Sequence, residues 1–337
     1  MKREGLGGLV ANWNEIIQTQ NLSDDQHMDL VSRWLLIIRA SVFPMTIISA
    51  LIGGLLAFGR PGADWWYFTL ALVGLVIAHA ANNMINDYFD LGGGVDTEGY
   101  VRTVYAPHPI LSGLVSKEGL IAAIAICNFI DLWILYMLAT ARGPGVVAFA
   151  LSGLFISIFY VAPPLKLKHR GMGEPGVFIV WGPLMIGGTY FVTTGFAPGW
   201  VFIASLPYAL LVSAVLFGKH IDKLPADAAK GINTLPVILG ESKARVVAQG
   251  LMIAFYAAVI ASVFAGVLSL WCLIVLLSVP RLLETLETYR SPRPDGPPEG
   301  FPIWPLWYVA WAFRLTRSAG GLLVLGLVIH ALIPLSM

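Results

Sequence analysis

Charged side chains are scarce in this sequence. Of its 337 residues, only 12% are Asp, Glu, Lys or Arg, whereas 57% are hydrophobic. Soluble proteins carry roughly 25% charged residues. This shortage excludes a disordered chain and argues against a soluble globular enzyme. The net charge of +1 provides no general attraction for nucleic acid, so a nucleic-acid partner is not expected.

Cysteine is also scarce. Cys127 and Cys272 are the only two, and each lies within an apolar run. They predict neither a disulfide framework nor a cysteine metal site.

The first 30 residues lack the uninterrupted apolar core of a cleavable signal peptide. We therefore expect residues 1–30 to form a cytoplasmic N-terminal segment and residues 31–337 to form one membrane domain.

Long apolar runs are abundant instead. A bilayer core of about 30 Å requires roughly 20 apolar residues per helix. Nine segments meet this requirement, with approximate bounds 34–58, 66–90, 119–140, 144–162, 174–194, 199–218, 245–263, 266–286 and 318–336. Because lipid does not tolerate open sheet edges, the sequence predicts an all-α integral membrane bundle of nine transmembrane helices. A capping-box pattern at residues 23–26 predicts that the first helix starts near Ser23.

The positions of lysine and arginine predict the orientation of this bundle. With nine spans, 19 of the 21 Lys and Arg residues fall on the side that holds the N-terminus, and only Arg60 and Arg142 fall on the other. Cytoplasmic loops carry such an excess, so the N-terminus is predicted to be cytoplasmic and the C-terminus to lie on the opposite side. In a prokaryote this membrane would be the plasma membrane. The long connections 91–118, 219–244 and 287–317 then place the working surface on the cytoplasmic face.

A row of polar residues ends the second predicted span. Its members are His79, Asn83, Asn86, Asp87, Asp90 and Asp96. His79, Asn83, Asp87 and Asp90 follow the i, i+4, i+8, i+11 spacing of one helix face. A carboxylate inside a membrane costs about 2.5–3.5 kcal/mol and is usually functional. Because crowded carboxylates repel each other, this row favours a divalent cation, and oxygen ligands suit Mg²⁺. The alternative is an ordinary solvated helix end.

Two further polar clusters follow later in the chain. The loop after the sixth span contains the carboxylates of Asp222 and Asp227 among lysines, including Lys219. Together with the first cluster, it suggests a diphosphate bridged by Mg²⁺, although alone it would fit a solvated loop. Lys166 and Lys168 follow Tyr160 and a Pro-Pro pair, and they indicate either an anion-binding loop or a simple positive anchor at the membrane.

These motifs resemble those of the UbiA superfamily of intramembrane prenyltransferases, over most of residues 33–337. The residues that carry the resemblance are Asn-Asp-Tyr-Phe-Asp at 86–90, Asp96, Ser112-Gly113, Asp222, Asp227 and Thr-Leu-Pro-Val at 234–237. Residues 160–168, 170–174 and 188–190 look most like the branch that prenylates 1,4-dihydroxy-2-naphthoate in menaquinone synthesis.

The resemblance implies Mg²⁺-dependent transfer of a prenyl group from a polyprenyl diphosphate to a lipophilic aromatic acceptor within the membrane. It implies that the metal ligands are Asp87, Asp90, Asp96, Asp222 and Asp227. The catalytic residues would be Asp87, Asp90, Asp222 and Lys166. The residues that contact the diphosphate or line the cavity would be His79, Asn83, Asn86, Arg102, Tyr160, Lys168 and Lys219.

Three positions depart from the family pattern. His108 stands where an arginine usually precedes the proline, and Arg102 could take over that phosphate contact. Four residues rather than three separate Asp222 from Asp227, and Gly218 lies near the place of a common asparagine. A terpene cyclase or a prenyltransferase with a non-aromatic acceptor therefore stays open. An ion-coupled transporter is a further alternative, although no inverted repeat is visible.

Overall fold

The protein is helical throughout the part of the chain that the structure describes. The computed structural model describes residues 5–23, 26–97, 99–301 and 303–335. Within these ranges no strand is formed, and the only β-type pairing is an isolated bridge between Arg170 and Asn233. The prediction of an all-α fold is confirmed.

Fifteen α-helices are found in the described ranges, and short 3₁₀ and π-helical stretches join some of them. The α-helices are α1 (Gly5–Thr19), α2 (Leu30–Ile37), α3 (Phe43–Leu56), α4 (Trp65–Gly92), α5 (Val101–Tyr105), α6 (Lys117–Arg142), α7 (Gly145–Val161), α8 (Gly173–Ile179), α9 (Gly188–Thr194), α10 (Gly199–Asp222), α11 (Leu224–Ala229), α12 (Leu235–Leu239), α13 (Glu241–Phe264), α14 (Val279–Arg290) and α15 (Tyr308–Leu332). The π-helical stretch Val180–Gly187 joins α8 to α9, and 3₁₀ turns cover Ala40–Val42, Leu167–His169 and Leu270–Ser278.

The N-terminal region differs from its prediction. Helix α1 was not expected, and α2 begins at Leu30 rather than near Ser23. Asp29 caps α2, because its Oδ1 accepts hydrogen bonds from the backbone N–H groups of Val31 at 2.8 Å and Ser32 at 3.1 Å. Two acidic residues of the predicted capping box, at positions 24 and 25, lie outside the described residues.

All nine predicted apolar segments contain helix, but fewer qualify as membrane spans by length and composition. Among the described residues, six continuous helices qualify: α4, α6, the run from α8 to α9, α10, α13 and α15. The pair α2 and α3, bent by 63°, makes a seventh if it is counted as one span. Helix α7 is apolar but has only 17 residues, and the 266–286 segment is divided between a 3₁₀ turn and α14. The count of nine therefore stays a prediction.

Helix α10 is the most buried of these spans and lies against α13, α15 and the π-helical stretch. At Gly218, near its end, α10 approaches α15 closely. A Cβ atom there would lie 2.9 Å from the Cα of Val309 and would also meet the Tyr289 hydroxyl. This crowding explains why a glycine occupies this position.

Candidate functional site

The end of α4 places Asp87 at the centre of a buried charge cluster. Two guanidinium groups bind this carboxylate, which is fully buried. Arg39 donates from Nε to Oδ2 at 3.2 Å and from Nη2 to Oδ1, while Arg102 donates from Nε to Oδ1 at 3.3 Å and from Nη2 to Oδ2 at 3.4 Å. Arg39 has a φ of +55° at the bend between α2 and α3. The bend and helix α5 thus supply two cations for one carboxylate.

Asp96 and His108 lie beside this ion cluster. His108 Nε2 is 3.6 Å from Asp96 Oδ2 and 3.9 Å from Asp87 Oδ1. Ligand atoms of the three residues all lie within 4.8 Å of one another. Burial alone would raise the pKa of Asp96, but the His108 ring, the Lys223 ammonium and the two arginines lower it to about 2. Asp96 therefore carries a negative charge at neutral pH.

Lys168 contributes a third buried cation, through Asp90. Its Nζ lies 3.0 Å from Asp90 Oδ2. Burial would lower the pKa of Lys168, but the carboxylates of Asp90 and Asp227 outweigh burial and raise it. Lys166 lies two positions before Lys168, and residues two apart in a helical turn do not share a face. Lys166 is accordingly exposed. The structure therefore assigns the buried position to Lys168, and the prediction of Lys166 as a catalytic residue is withdrawn.

The loop after α10 meets the loop after α4. The Tyr100 hydroxyl donates a hydrogen bond to Asp227 Oδ1, and Lys223 Nζ lies 3.7 Å from the same oxygen. The ammonium groups of Lys223 and Lys230 lie 4.6 Å and 4.5 Å from the centroid of the Tyr100 ring. Lys230 also donates to the carbonyl oxygen of Val95. The two acidic motifs, distant in sequence, are thus joined by direct contacts.

Asp222 does not share these partners. Its Oδ1 accepts a hydrogen bond from the N–H of Tyr308 at 2.9 Å, and its Oδ2 accepts one from the N–H of Val309 at 3.0 Å. These are the first residues of α15. A carboxylate at the start of a helix satisfies free N–H groups and favours the helix dipole. We therefore withdraw Asp222 from the predicted metal ligands and catalytic residues and assign it to anchoring α15.

Several buried oxygens in the two acidic motifs lack a hydrogen-bond partner within the described residues. They are Asn86 Oδ1, Asp96 Oδ2 and Asp227 Oδ2. Buried polar atoms in proteins are nearly always paired, and carboxylate and amide oxygens are the ligands that hard divalent cations prefer. The side chains present thus fit a divalent cation, and Asp96 belongs both to the unpaired oxygens and to the group with Asp87 and His108.

A cavity of about 1070 Å³ extends from this cluster between the helices. Near Asp87, polar side chains line it: Arg39, Asn83, Asn86, Arg102, Tyr160 and Lys219. Farther along α4, apolar side chains take over: Leu135, Leu138, Val146, Phe149, Leu184 and Val192. His79 lies between the two zones. Leu132 and Leu154 line the cavity and are also 62% and 42% exposed, so the cavity opens to the outer face between α6 and α7.

The site thus combines cations and carboxylates at the head of an apolar cavity that opens sideways among membrane helices. Such a site defines a membrane protein whose cavity has the charge and shape for a molecule with an anionic head and an apolar chain. The model of the UbiA prenyltransferase family matches residues 46–306, and the chain belongs to this family. It is a UbiA-type prenyltransferase.

Relatives of two kinds are similar to the chain. It is 27% identical to the 1,4-dihydroxy-2-naphthoate octaprenyltransferase of Mycobacterium tuberculosis, over 78% of this chain and 87% of the relative. It is 24% identical to the UbiA prenyltransferase domain-containing protein 1 homolog of Drosophila melanogaster, over 77% of this chain and 71% of the relative.

A solved structure shares the fold. It is the UbiA homolog from Archaeoglobus fulgidus bound to GPP and Mg²⁺, with a TM-score of 0.53 and 15% sequence identity. The match covers 86% of this chain and 99% of the other. At this identity, the similarity supports the helical arrangement alone.

Sequence reasoning did not single out Arg39 or Tyr100 as residues of the site. A signal for Arg39 was present, because it is a lone arginine inside the predicted span 34–58 and a cation there requires a negative partner. Tyr100 lies in a polar loop and gave no comparable signal.

Proposed function

We propose that this protein transfers a prenyl group from a polyprenyl diphosphate to a lipophilic aromatic acceptor within the membrane, with Mg²⁺ as the divalent cation. The observation that carries the proposal is the contact of Asp87 with Arg39 and Arg102, beside Asp96 and His108, at the head of an apolar cavity of about 1070 Å³. Anion-binding and metal-binding groups meet there, where an apolar tail has room.

The proposed roles follow from the charges. Asp87, Asp90, Asp96 and Asp227, with the Asn86 oxygen, would hold the cation, which would supply positive charge beside the departing diphosphate when bound. The cations Arg39, Arg102 and Lys168 would bind the phosphate oxygens, and the Lys219 side chain, which lines the same part of the cavity, would contact them too. As the bond between the first prenyl carbon and oxygen breaks, its electron pair leaves with the diphosphate, and these fixed cations stabilise the charge that develops.

For the acceptor we propose a quinone precursor such as 1,4-dihydroxy-2-naphthoate. The name of the relative from Mycobacterium tuberculosis supports this acceptor. The Drosophila melanogaster relative is not named by an acceptor, so the experiment includes acceptors of other chemistry.

Purified protein in detergent is expected to form a prenylated naphthoate from 1,4-dihydroxy-2-naphthoate and a prenyl diphosphate. The reaction should release one diphosphate per product and stop when EDTA removes divalent cations. Mass spectrometry of the extracted lipids, over donors from GPP upwards, measures the products. A cyclic hydrocarbon formed without acceptor would contradict the transfer, and turnover that EDTA leaves unchanged would contradict the metal role.

We also propose that the chain crosses the membrane nine times, with a cytoplasmic N-terminus, because lysine and arginine fall so unequally on the two sides. In intact cells, a membrane-impermeant maleimide is expected to label Pro61→Cys and to leave Asp295→Cys unlabelled until the cells are opened. Labelling of unmodified protein measures the background from Cys127 and Cys272. The reverse pattern would contradict the orientation.

A further inference from the structure

His79 is held rigidly inside the cavity. Its side chain is largely buried, and Nδ1 lies 2.7 Å from the hydroxyl oxygen of Thr46 on α3. The centroids of the Phe43 and Trp181 rings lie 5.4 Å and 5.3 Å from the centroid of the imidazole. Contacts from α3 and from the π-helical stretch therefore fix the orientation of the ring.

The second ring nitrogen is available to a ligand. Nε2 of His79 makes no hydrogen bond to any described residue. It is also absent from the fully buried polar atoms without a partner, so part of its surface is accessible. Since His79 lines the cavity, this nitrogen is open to the cavity. A group that binds Thr46 through one nitrogen can exchange a proton with a bound molecule through the other.

His79 also lies at a suitable distance from the phosphate-binding cluster. It precedes Asp87 by eight residues on α4, which corresponds to about 12 Å along the helix axis. A diphosphate, its first prenyl carbon and one aromatic ring system together span such a distance. An acceptor whose ring lies next to that carbon can therefore place a hydroxyl group against His79.

The carboxyl group of Asp131, in the apolar part of the cavity, lies too far from the phosphate-binding cluster to act on such an acceptor. Asp131 faces Gly74, where an added Cβ would be 3.7 Å from its Oδ1. Gly74 precedes Asp87 by thirteen residues, or about 20 Å along α4. Tyr160 lies nearer, but a phenol is a poor proton acceptor at neutral pH. His79 is thus better placed than either of them to act as a base on an acceptor.

We propose, resting on the prenyl transfer proposed above, that His79 is a catalytic residue that binds an ionisable hydroxyl of the aromatic acceptor and takes its proton. The electron pair left on the oxygen makes the ring more nucleophilic. A ring carbon then uses its π electron pair to bond the first prenyl carbon, while the bond from that carbon to diphosphate oxygen breaks and the diphosphate keeps the pair. The ring carbon loses its hydrogen as a proton to the diphosphate, and the imidazolium returns its proton to the acceptor oxygen.

The experiment compares unmodified protein with His79→Gln, using GPP and a series of ring-substituted 1-naphthols of increasing acidity. Because a positioned base contributes roughly 100-fold or more, His79→Gln should reduce kcat for the least acidic naphthol by about 100-fold. The reduction should shrink steadily as the naphthols become more acidic, because they ionise without help. An equal reduction for all naphthols would overturn the proposal, since a purely structural role would not depend on acceptor acidity.

Two further measurements make the test decisive. Thr46→Val, which removes the hydroxyl beside Nδ1, should show a weaker form of the same dependence, whereas Thr46→Ser should behave like unmodified protein. Slow release of diphosphate from GPP without any acceptor is measured in both proteins, because this release requires donor binding but no acceptor. Loss of that release in His79→Gln would assign the residue to donor binding instead and overturn the proposal. If unmodified protein neither releases diphosphate from GPP nor transfers the prenyl group, the proposed function itself is contradicted.

Discussion

Asp87→Asn is expected to reduce prenyl transfer by at least about 100-fold, the size of loss seen when one fixed electrostatic group is removed from a reaction centre. The substitution keeps the side-chain volume but removes the negative charge that binds Arg39 and Arg102. It also removes one oxygen ligand from the group with Asp96 and His108. Initial rates at saturating GPP and Mg²⁺ measure the effect.

Asp222→Asn is the matched control, because it changes another buried aspartate in the same way. Since Asp222 accepts hydrogen bonds at the start of α15, its loss should lower the free energy of unfolding by about 1–2 kcal/mol. Transfer per folded molecule should change little. If Asp87→Asn keeps more than about a tenth of the rate, a barrier change of only about 1.4 kcal/mol, the metal role of Asp87 is wrong. A greater loss of turnover per folded molecule in Asp222→Asn than in Asp87→Asn would reverse the two assignments.

The double substitution Asp87→Asn with Asp227→Asn is expected to be barely worse than the more damaging single one. Contacts from Tyr100 and Lys230 join the two loops, and both carboxylates are proposed to act on one diphosphate. Residues that act as one unit give strongly non-additive losses. If each single change costs about 100-fold, independent sites would instead give a product near 10,000-fold.

Rates for the four proteins of this cycle are measured with GPP over a Mg²⁺ titration. Asp87→Asn combined with Lys166→Met provides the control pair, because Lys166 is exposed and should add nothing to the loss. Normal dependence on Mg²⁺ in Asp227→Asn would show that the loop after α10 only connects helices. Multiplied losses would show that the two motifs act separately.

Most helices of the fold could be predicted, because apolar runs reveal which segments lie in lipid. Hydropathy did not indicate where a run bends or changes its helix type. The run 34–58 divides at Arg39, and the run 266–286 begins as a 3₁₀ turn. Helix α1 was missed because it lies in the N-terminal segment, outside the apolar runs.

The first acidic motif was predicted better than the second. Asp87 and Asp90 share a helix face, so local spacing sufficed to bring them together. Asp222 and Asp227 are the same residue type only five positions apart, yet Asp222 ends α10 and binds the start of α15, 86 residues away in sequence, whereas Asp227 lies in α11. Composition and spacing do not show which distant helix end will need a carboxylate. The choice between Lys166 and Lys168 likewise depended on the turn that Leu167–His169 makes.

Because the cavity opens sideways at Leu132 and Leu154, the relevant substrate concentration is the concentration in the lipid. A prenyl diphosphate and a lipophilic acceptor that enter there diffuse in two dimensions, within the same lipid that surrounds α6 and α7. The quantity that sets the occupancy of the cavity is then the number of substrate molecules per lipid molecule rather than their number per litre. Added lipid or detergent dilutes both substrates at the entrance, even when the amounts in the sample are unchanged.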